Sequence, residues 1–236
     1  MVAKEIWKFA SERGFAISGL WIASKENVKT DEESRKAETS ADWKLLPKVF
    51  QLITRTWGPM TVDAFASLSM HQLPRYWSWR ADPLSLGIDG MLQSWEGEVP
   101  YIFPPFCLLP RILNKLKSQE VEKAVIVCPL WPGQSWYPLL LNMAIAKPLA
   151  LPRLTGLLKN HRGEEHPLEL LGHLKLTAWL VSGIDSKARD FQRSLPPLSP
   201  IAESLALQGI TKAPGHNGFA GVGRKALIPL DLQLLR

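Results

Sequence analysis

Residues 123–131, KAVIVCPLW, are after Lys123 an uninterrupted apolar run of strand length. A strand with one wet face alternates polar and apolar residues, so an unbroken run belongs in a sheet covered on both sides. That requirement constrains the whole chain, because helices must lie against both faces. The flanking sequence offers them. Residues 107–122, CLLPRILNKLKSQEVE, repeat apolar residues at helical spacing, with Pro110 tolerable only in the first turn. Residues 133–146, GQSWYPLLLNMAIA, predict another helix. MTVDAFA (60–66) and VPYIF (99–103) are predicted short strands, with SLGIDG (85–90) a weaker one and PLALP (148–152) a last short one. Strands alternating with helices predict an α/β fold built on a mostly parallel sheet.

The outer segments are less regular. Residues 3–13 predict an amphipathic helix that shows Ile6, Trp7, Phe9 and Ala10 on one face and stops at Gly14, and 15–23 predict a strand. Residues 24–42 are polar and charged. Asp42 is a candidate N-cap for a helix over 43–56 with Trp43, Leu46, Val49, Phe50 and Ile53 facing inward. Helices are also expected over 169–182 and 186–195. After PPLSP, the Pro-, Gly- and Ser-rich residues 196–236 are expected to be poorly ordered.

Composition narrows the class. With 236 residues and 46% hydrophobic content, the chain can bury one sizeable core. It has no apolar run of about 18 residues, so no membrane span is expected. The N-terminal segment lacks the apolar stretch of a signal peptide. Cys107 and Cys128 sit in apolar surroundings without a CxxC pair, as expected of buried free thiols in a reducing compartment, cytoplasmic or nuclear. The net charge of +6, with most of the excess in the last third, permits contact with DNA or RNA without requiring it.

Few single motifs point to chemistry. GHNGFAGVGRK (215–225) is Gly-rich and basic, but no Ser or Thr follows its Lys and no strand precedes it, as a phosphate-cradling loop would need. HRGEEH (161–166) spaces its two His five apart, too far for one helical face to share a metal. Trp7, Trp43 and Trp179 fall on apolar helical faces and are expected in the core. RYWSWR differs: an extended strand would place Trp77 and Trp79 on one face between Arg75 and Arg80, a pattern suited to stacking bases and pairing phosphates. Asp31, Glu32 and Glu33 form an acidic run of the kind that either solvates a surface or contributes a ligand to Mg²⁺.

Longer blocks carry a resemblance. KEIWKFASERGFAISGLWIASKENVKTDEESR resembles the end of the ribonuclease H domain of retroelement polymerases, where a helix and a strand precede a segment reading roughly Asn-x-x-Ala-Asp-x-x-Ser-Arg. Asp31 matches the last metal-binding acid of that family, and Thr30 replaces the usual Ala. ADWKLLPKVFQLITRTWGPMTVDAFASLSMHQLPRYWSWRADP, YIFPPFCLLPRILNKL, AVIVCPLWPGQSWYPLLL, HPLELLGHLKLTAWLVSG and DFQRSLP resemble, in order, the segment after ribonuclease H in DIRS-like, tyrosine-recombinase retrotransposons. The resemblance covers about residues 1–195.

This resemblance implies three parts: a truncated ribonuclease H-like tail (1–36), a methyltransferase-like α/β domain with a Rossmann-like, mostly parallel sheet (37–155), and a helical connector with a flexible basic tail (156–236). It implies a base-receiving turn at Phe103, Pro104, Pro105 and Phe106, in which the aromatic ring stacks on a flipped base. It also implies a cofactor region at Asp63, Phe65 and Asp89, with Asp89 as the acid for ribose hydroxyls. Phe103 stands where an amide or carboxylate would accept from the target amine, and Ser67, Leu68 and Ser69 stand where glycines would let S-adenosylmethionine approach. Asp31 alone cannot assemble a Mg²⁺ site, so neither cofactor is expected to be used by this chain. The expectation is a fragment of a retroelement polymerase polyprotein, inactive alone and able to contact nucleic acid through Arg75, Trp77, Trp79 and Arg80. Its partners would be the reverse transcriptase and recombinase segments of the same element. An active DNA adenine methyltransferase and a host-co-opted interaction module are the alternatives.

Overall fold

The computed structural model describes residues 42–195 apart from 173, the stretches 219–223 and 226–229, and positions 8 and 12. The chain divides into two compact units, Met1–Thr39 and Ser40–Arg236. In the first, Lys8 and Glu12 are helical and form an i,i+4 ion pair at 3.9 Å. The expected strand 15–23 and Asp31 lie outside the described residues.

The second unit is a mixed α/β domain. Its elements run β1 (Lys44–Leu45), α1 (Pro47–Trp57), β2 (Val62–Ala66), β3 (Tyr76–Ser78), β4 (Pro100–Ile102), a 3₁₀ turn (Phe106–Leu108), α2 (Leu109–Ser118), β5 (Ala124–Pro129), α3 (Tyr137–Met143), β6 (Leu149–Ala150), β7 (Leu158–Lys159), α4 (Pro167–Leu170), β8 (Leu176–Val181), α5 (Asp185–Ser194), β9 (Phe219–Gly223) and β10 (Ala226–Pro229). Six strands form the main sheet in the order β3-β2-β4-β5-β8-β6. The first four are parallel. β8 is antiparallel to both β5 and β6. β1 pairs separately with β7.

Within the apolar run 123–131, Ala124–Pro129 form β5, buried along its full length. Its side chains divide by the two-residue period of a strand. Ala124, Ile126 and Cys128 join the cluster under α2 and α3, while Val125 and Val127 join the cluster under α1. Helix α2 inserts Leu109, Ile112, Leu113 and Leu116 on one face, and α1 inserts Val49, Phe50 and Ile53 on the other. Pro110 falls in the first turn of α2, as its missing N–H requires.

Several expectations are corrected. Helix α1 begins at Pro47, not at an Asp42 cap: Lys44 and Leu45 pair with β7, which holds the backbone extended up to the proline. Residues 85–90 form no strand and contribute only a bridge from Ile88 to Ser78. Residues 169–182 are not one helix. Gly172, at φ 68°, ends the short α4, and LTAWLV then continues as β8, whose Thr, Trp and Val suit a strand. Trp179 is therefore a strand residue, although buried as expected. The sheet runs past residue 155 into the expected connector. Part of the tail is also ordered: β9 and β10 pair antiparallel, and Ile228 is fully buried in the cluster under α2 and α3. Cys128 is buried but Cys107 is exposed on the 3₁₀ turn. Among the described residues, no helix is long and apolar enough to cross a membrane.

Candidate functional site

The chain passes from β2 to β3 on one side of β2 and returns to β4 on the other. The loops leaving the carboxyl ends of β2 and β4 therefore diverge, and a crevice opens between them. A cleft of about 180 Å³ lies there. One wall is Phe65, Ala66 and Ser67 at the end of β2 with Met70 in the following turn; the other is the turn Phe103–Phe106 after β4. Asp42, Trp43 and His166 close the third side.

The Pro-Pro turn holds its rings in place from both sides. Pro105 leads into the 3₁₀ turn, and the Leu108 N–H donates to the Pro105 carbonyl at 2.9 Å. Phe106 meets Phe103 at 6.4 Å between ring centroids and Trp131, beyond β5, edge-on at 5.5 Å. Phe65 is set edge-on to the buried Trp95 at 6.3 Å. Trp95 is fixed in turn by its indole N–H, which donates to the Gly90 carbonyl at 2.8 Å.

The polar groups of the cleft lie outside the strands: Ser67 follows β2, Asp42 precedes β1 and His166 precedes α4. Ser67 is 5% exposed, and its hydroxyl has no hydrogen-bond partner among the described residues. Its carbonyl accepts from the Met70 and His71 N–H groups, which fixes the turn after β2. His166 packs on Trp43 with ring centroids 4.6 Å apart, and its Nδ1 accepts from the Leu168 N–H at 3.1 Å. Burial holds the His166 imidazole below its ordinary pKa, against the opposing charge of Glu169. The ring is thus kept neutral, and with Nδ1 accepting, its proton resides on Nε2. Among the described residues, no Lys or Arg lines the cleft.

The expected cofactor residues separate. Phe65 lines the cleft. Asp63 lies two residues deeper in β2 and is 2% exposed; its Oδ2 accepts from the Gln72 N–H at 2.8 Å and its Oδ1 has no hydrogen-bond partner among the described residues. Burial pushes its carboxyl up to about 7, against the backbone N–H groups of Gln72 and Phe65 and the charge of Lys44. Asp89 is not at the cleft. It sits in a left-handed turn at φ 55°, with Oδ1 accepting from the Met91 N–H at 2.9 Å and Lys115 as a nearby charge.

The expected nucleic-acid residues also separate. Strand β3 ends at Ser78, so Trp77 and Trp79 do not share a face. Trp77 is 5% exposed and stacks on Trp95 in the core at 6.5 Å, which corrects its expected surface role. Arg75 is engaged by Glu98 through two contacts, Nη2 to Oε1 at 2.7 Å and Nη1 to Oε2 at 3.1 Å. Trp79 is 50% exposed, with the Arg80 guanidinium 4.2 Å over its ring. Among the described residues no cluster of three or more His, Cys, Asp or Glu is placed to hold a metal ion.

Sequence reasoning located the two aromatic walls but missed Asp42, Trp43, Ser67, Met70 and His166 as lining. Ser67 stood beside the expected cofactor strand as a departure from glycine. The His166 signal was its place directly before Pro167, the N-cap position of a helix opened by proline. No protein-family model and no curated protein matches the chain.

Proposed function

We propose that the chain is part of a retroelement polymerase polyprotein and that its sheet domain is a Rossmann-like, methyltransferase-like module that holds a flat nucleobase without transferring a methyl group. The observation that carries this reading is the position of the aromatic cleft. It lies outside the carboxyl ends of β2 and β4, where the strand order reverses, and open α/β sheets bind ligands at that place.

The chemistry of the cleft argues for binding over catalysis. Phe103 and Phe106 give apolar faces for a ring, but Phe103 provides no acceptor for a target amine. The β2 turn carries Ser67, Leu68 and Ser69 in place of the glycines that would admit S-adenosylmethionine closely. The described lining of the cleft is aromatic, apolar and neutral or acidic apart from His166, so phosphate contact is assigned to surfaces outside it. Trp79 and Arg80 follow β3 directly, and β3 runs parallel to β2, so they belong to the same edge of the sheet as the cleft. The ribonuclease H part of the reading rests on the resemblance around Asp31.

The test is a tryptophan-fluorescence titration with nucleosides and a single-stranded oligonucleotide, alongside an isotope-transfer assay with S-adenosylmethionine and DNA. Saturable quenching with no transferred methyl group is expected. No binding of any nucleoside or oligonucleotide overturns the base-binding reading, and methyl transfer to DNA establishes the enzyme instead.

A further inference from the structure

The loop between β3 and β4 turns large apolar side chains outward. Leu84, Leu86, Ile88 and Leu92 are 70%, 51%, 52% and 79% exposed. Together they show on the order of 400 Å² of apolar surface, the size of patch that marks an interaction site on a monomer. We propose that a second copy of the chain packs on this loop, in a two-fold contact made by these four side chains. The contact is separate from the base-binding cleft, whose lining they do not share.

The loop is held firmly while these side chains stay outside. It runs along β3: the Leu86 N–H donates to the Tyr76 carbonyl at 2.9 Å, the Ser78 N–H to the Gly87 carbonyl at 3.1 Å and the Asp89 N–H to the Ser78 carbonyl at 2.7 Å. The Asp82 carboxylate accepts from the Tyr76 hydroxyl at 2.6 Å and the Leu84 N–H at 2.9 Å, and Asp89 accepts from the Met91 N–H at 2.9 Å. Gln93 Nε2 donates to the Ile88 carbonyl at 2.7 Å, which brings the Leu92 end of the loop back beside Ile88. A loop fixed in this way loses little freedom when a partner covers it. The occupied Ile88 carbonyl also hinders a further strand from adding at this edge, so side chains make the contact.

Charge and area decide the partner. Residues 81–92 hold two Asp and no Lys or Arg, so phosphate backbones and anionic lipid surfaces are repelled. Both carboxylates are engaged inside the loop, which leaves an apolar face without a charge to select a foreign protein. A chain of net charge +6 repels its own copies, so self-association needs a surface free of cations, and this loop is one. A standard interface takes about 800 Å² from each partner, a little over half of it apolar, and the patch comes close to that share. A two-fold contact then sets apolar on apolar and brings the middle of the patch, Leu86 and Ile88, nearest its own mate.

Sedimentation equilibrium of the whole chain, treated with nuclease and run over a range of concentrations, tests this. A reversible monomer–dimer equilibrium is expected, unchanged or tightened by added salt, because salt screens the repulsion between two positive chains. Leu86→Asp and Leu86→Lys should each weaken dimerisation roughly tenfold or more, as for a central interface residue. Leu92→Ser, at the most exposed of the four positions, should weaken it while leaving the urea midpoint unchanged. Mixed in equal amounts, Leu86→Asp and Leu86→Lys should associate more tightly than either alone, because the two-fold contact sets their opposite charges across from one another. A chain that stays monomeric at every concentration overturns the proposal and leaves the patch to a foreign protein. A dimer that the folded Leu86 and Leu92 variants leave intact overturns it by placing the contact elsewhere. Weakened dimers that mixing does not restore overturn the two-fold arrangement.

Discussion

Asp63 on β2 and Tyr101 on β4 are register partners on adjacent parallel strands, and each ends in a buried polar atom without a hydrogen-bond partner among the described residues, Asp63 Oδ1 and the Tyr101 hydroxyl. Burial raises both groups, and the Asp63 charge raises Tyr101 further. Asp63 moves from an ordinary 3.8 to about 7. The folded state therefore keeps a proton that the unfolded chain has lost. The resulting stability is fully present below 3.8 and is lost as pH rises to about 7, a change on the order of 4 kcal/mol. Asp63→Asn keeps an acceptor for the Gln72 N–H and removes the titration. Urea midpoints measured from pH 4 to 8 should fall for the wild type relative to Asp63→Asn, with the gap opening over that window.

Arg75 and Glu98 make a tighter pair than their surface position suggests. Glu98 also accepts from the Thr61 hydroxyl, whose oxygen accepts from the Val99 N–H at 2.8 Å, so the carboxylate ties the start of β2 to the approach to β4. The Arg75 side chain is half exposed, which limits the worth of the ion pair to about 1 kcal/mol or less. A double-mutant cycle over Arg75→Ala and Glu98→Gln should return a coupling of that size, reduced by added salt. The Arg75 hydrogen bond holds the Glu98 carboxyl below its ordinary value. That contribution is present above the unfolded carboxylate range and lost as pH falls below it. Arg75→Ala should leave oligonucleotide affinity nearly unchanged, because its guanidinium is already committed.

The parts of the fold legible in sequence are those that local period decides. Helix α2 and strand β5 followed from apolar spacing and from a run too apolar for a wet face. The same logic failed at β8, because an apolar run reads alike in a buried strand and a buried helix, and only the sheet around Trp179 settles which it is. The site divides in the same way. Phe103–Phe106 and Phe65 follow strand ends and could be placed from chain order. His166 and Trp43 meet across more than a hundred residues through the β1–β7 pairing, a contact that no local pattern carries. Trp77 misled because the alternation in RYWSWR assumes an extended chain, whereas β3 stops at Ser78.

Gly90 holds the loop after β3 against β2. A Cβ at this position would stand 2.1 Å from the Ala64 carbonyl oxygen, a backbone atom that cannot move aside without disturbing the strand. The Gly90 carbonyl also receives the Trp95 indole N–H. Gly90→Ala is expected to destabilise the domain by about 3 kcal/mol through this overlap. It should also displace Trp95 from Phe65 and so loosen the cleft. Chemical denaturation measures the first effect, and a weaker adenosine-dependent quench at a temperature where the variant is folded measures the second.

Phe106 joins the cleft to the rest of the carboxyl edge, since its ring contacts both Phe103 and Trp131. It is only half-buried, so truncation should affect binding more than folding. Phe106→Ala is expected to weaken nucleoside binding by about 1–3 kcal/mol, the range for loss of one base–aromatic stack. Phe106→Tyr keeps the ring face and should bind within a few-fold of wild type. Isothermal titration of both variants against adenosine distinguishes loss of stacking from general damage to the turn.

The hairpin β9–β10 belongs to the folded domain through Ile228, which has no exposed surface and lies in the same cluster as α2 and α3. Gly221 of β9 approaches Leu141 on α3 so closely that a Cβ there would meet Leu141 Cδ1 at 2.8 Å. A chain ending at residue 218 would therefore uncover part of the α3 face. Ile228→Ala is expected to cost about 2–5 kcal/mol, as for other large-to-small changes in a packed core. If the hairpin instead contributed nothing, neither Ile228→Ala nor the truncation would lower the urea midpoint. Because the hairpin packs on the helical face and the cleft opens at the carboxyl ends of β2 and β4, the Ile228→Ala variant should retain its affinity for adenosine wherever it is folded.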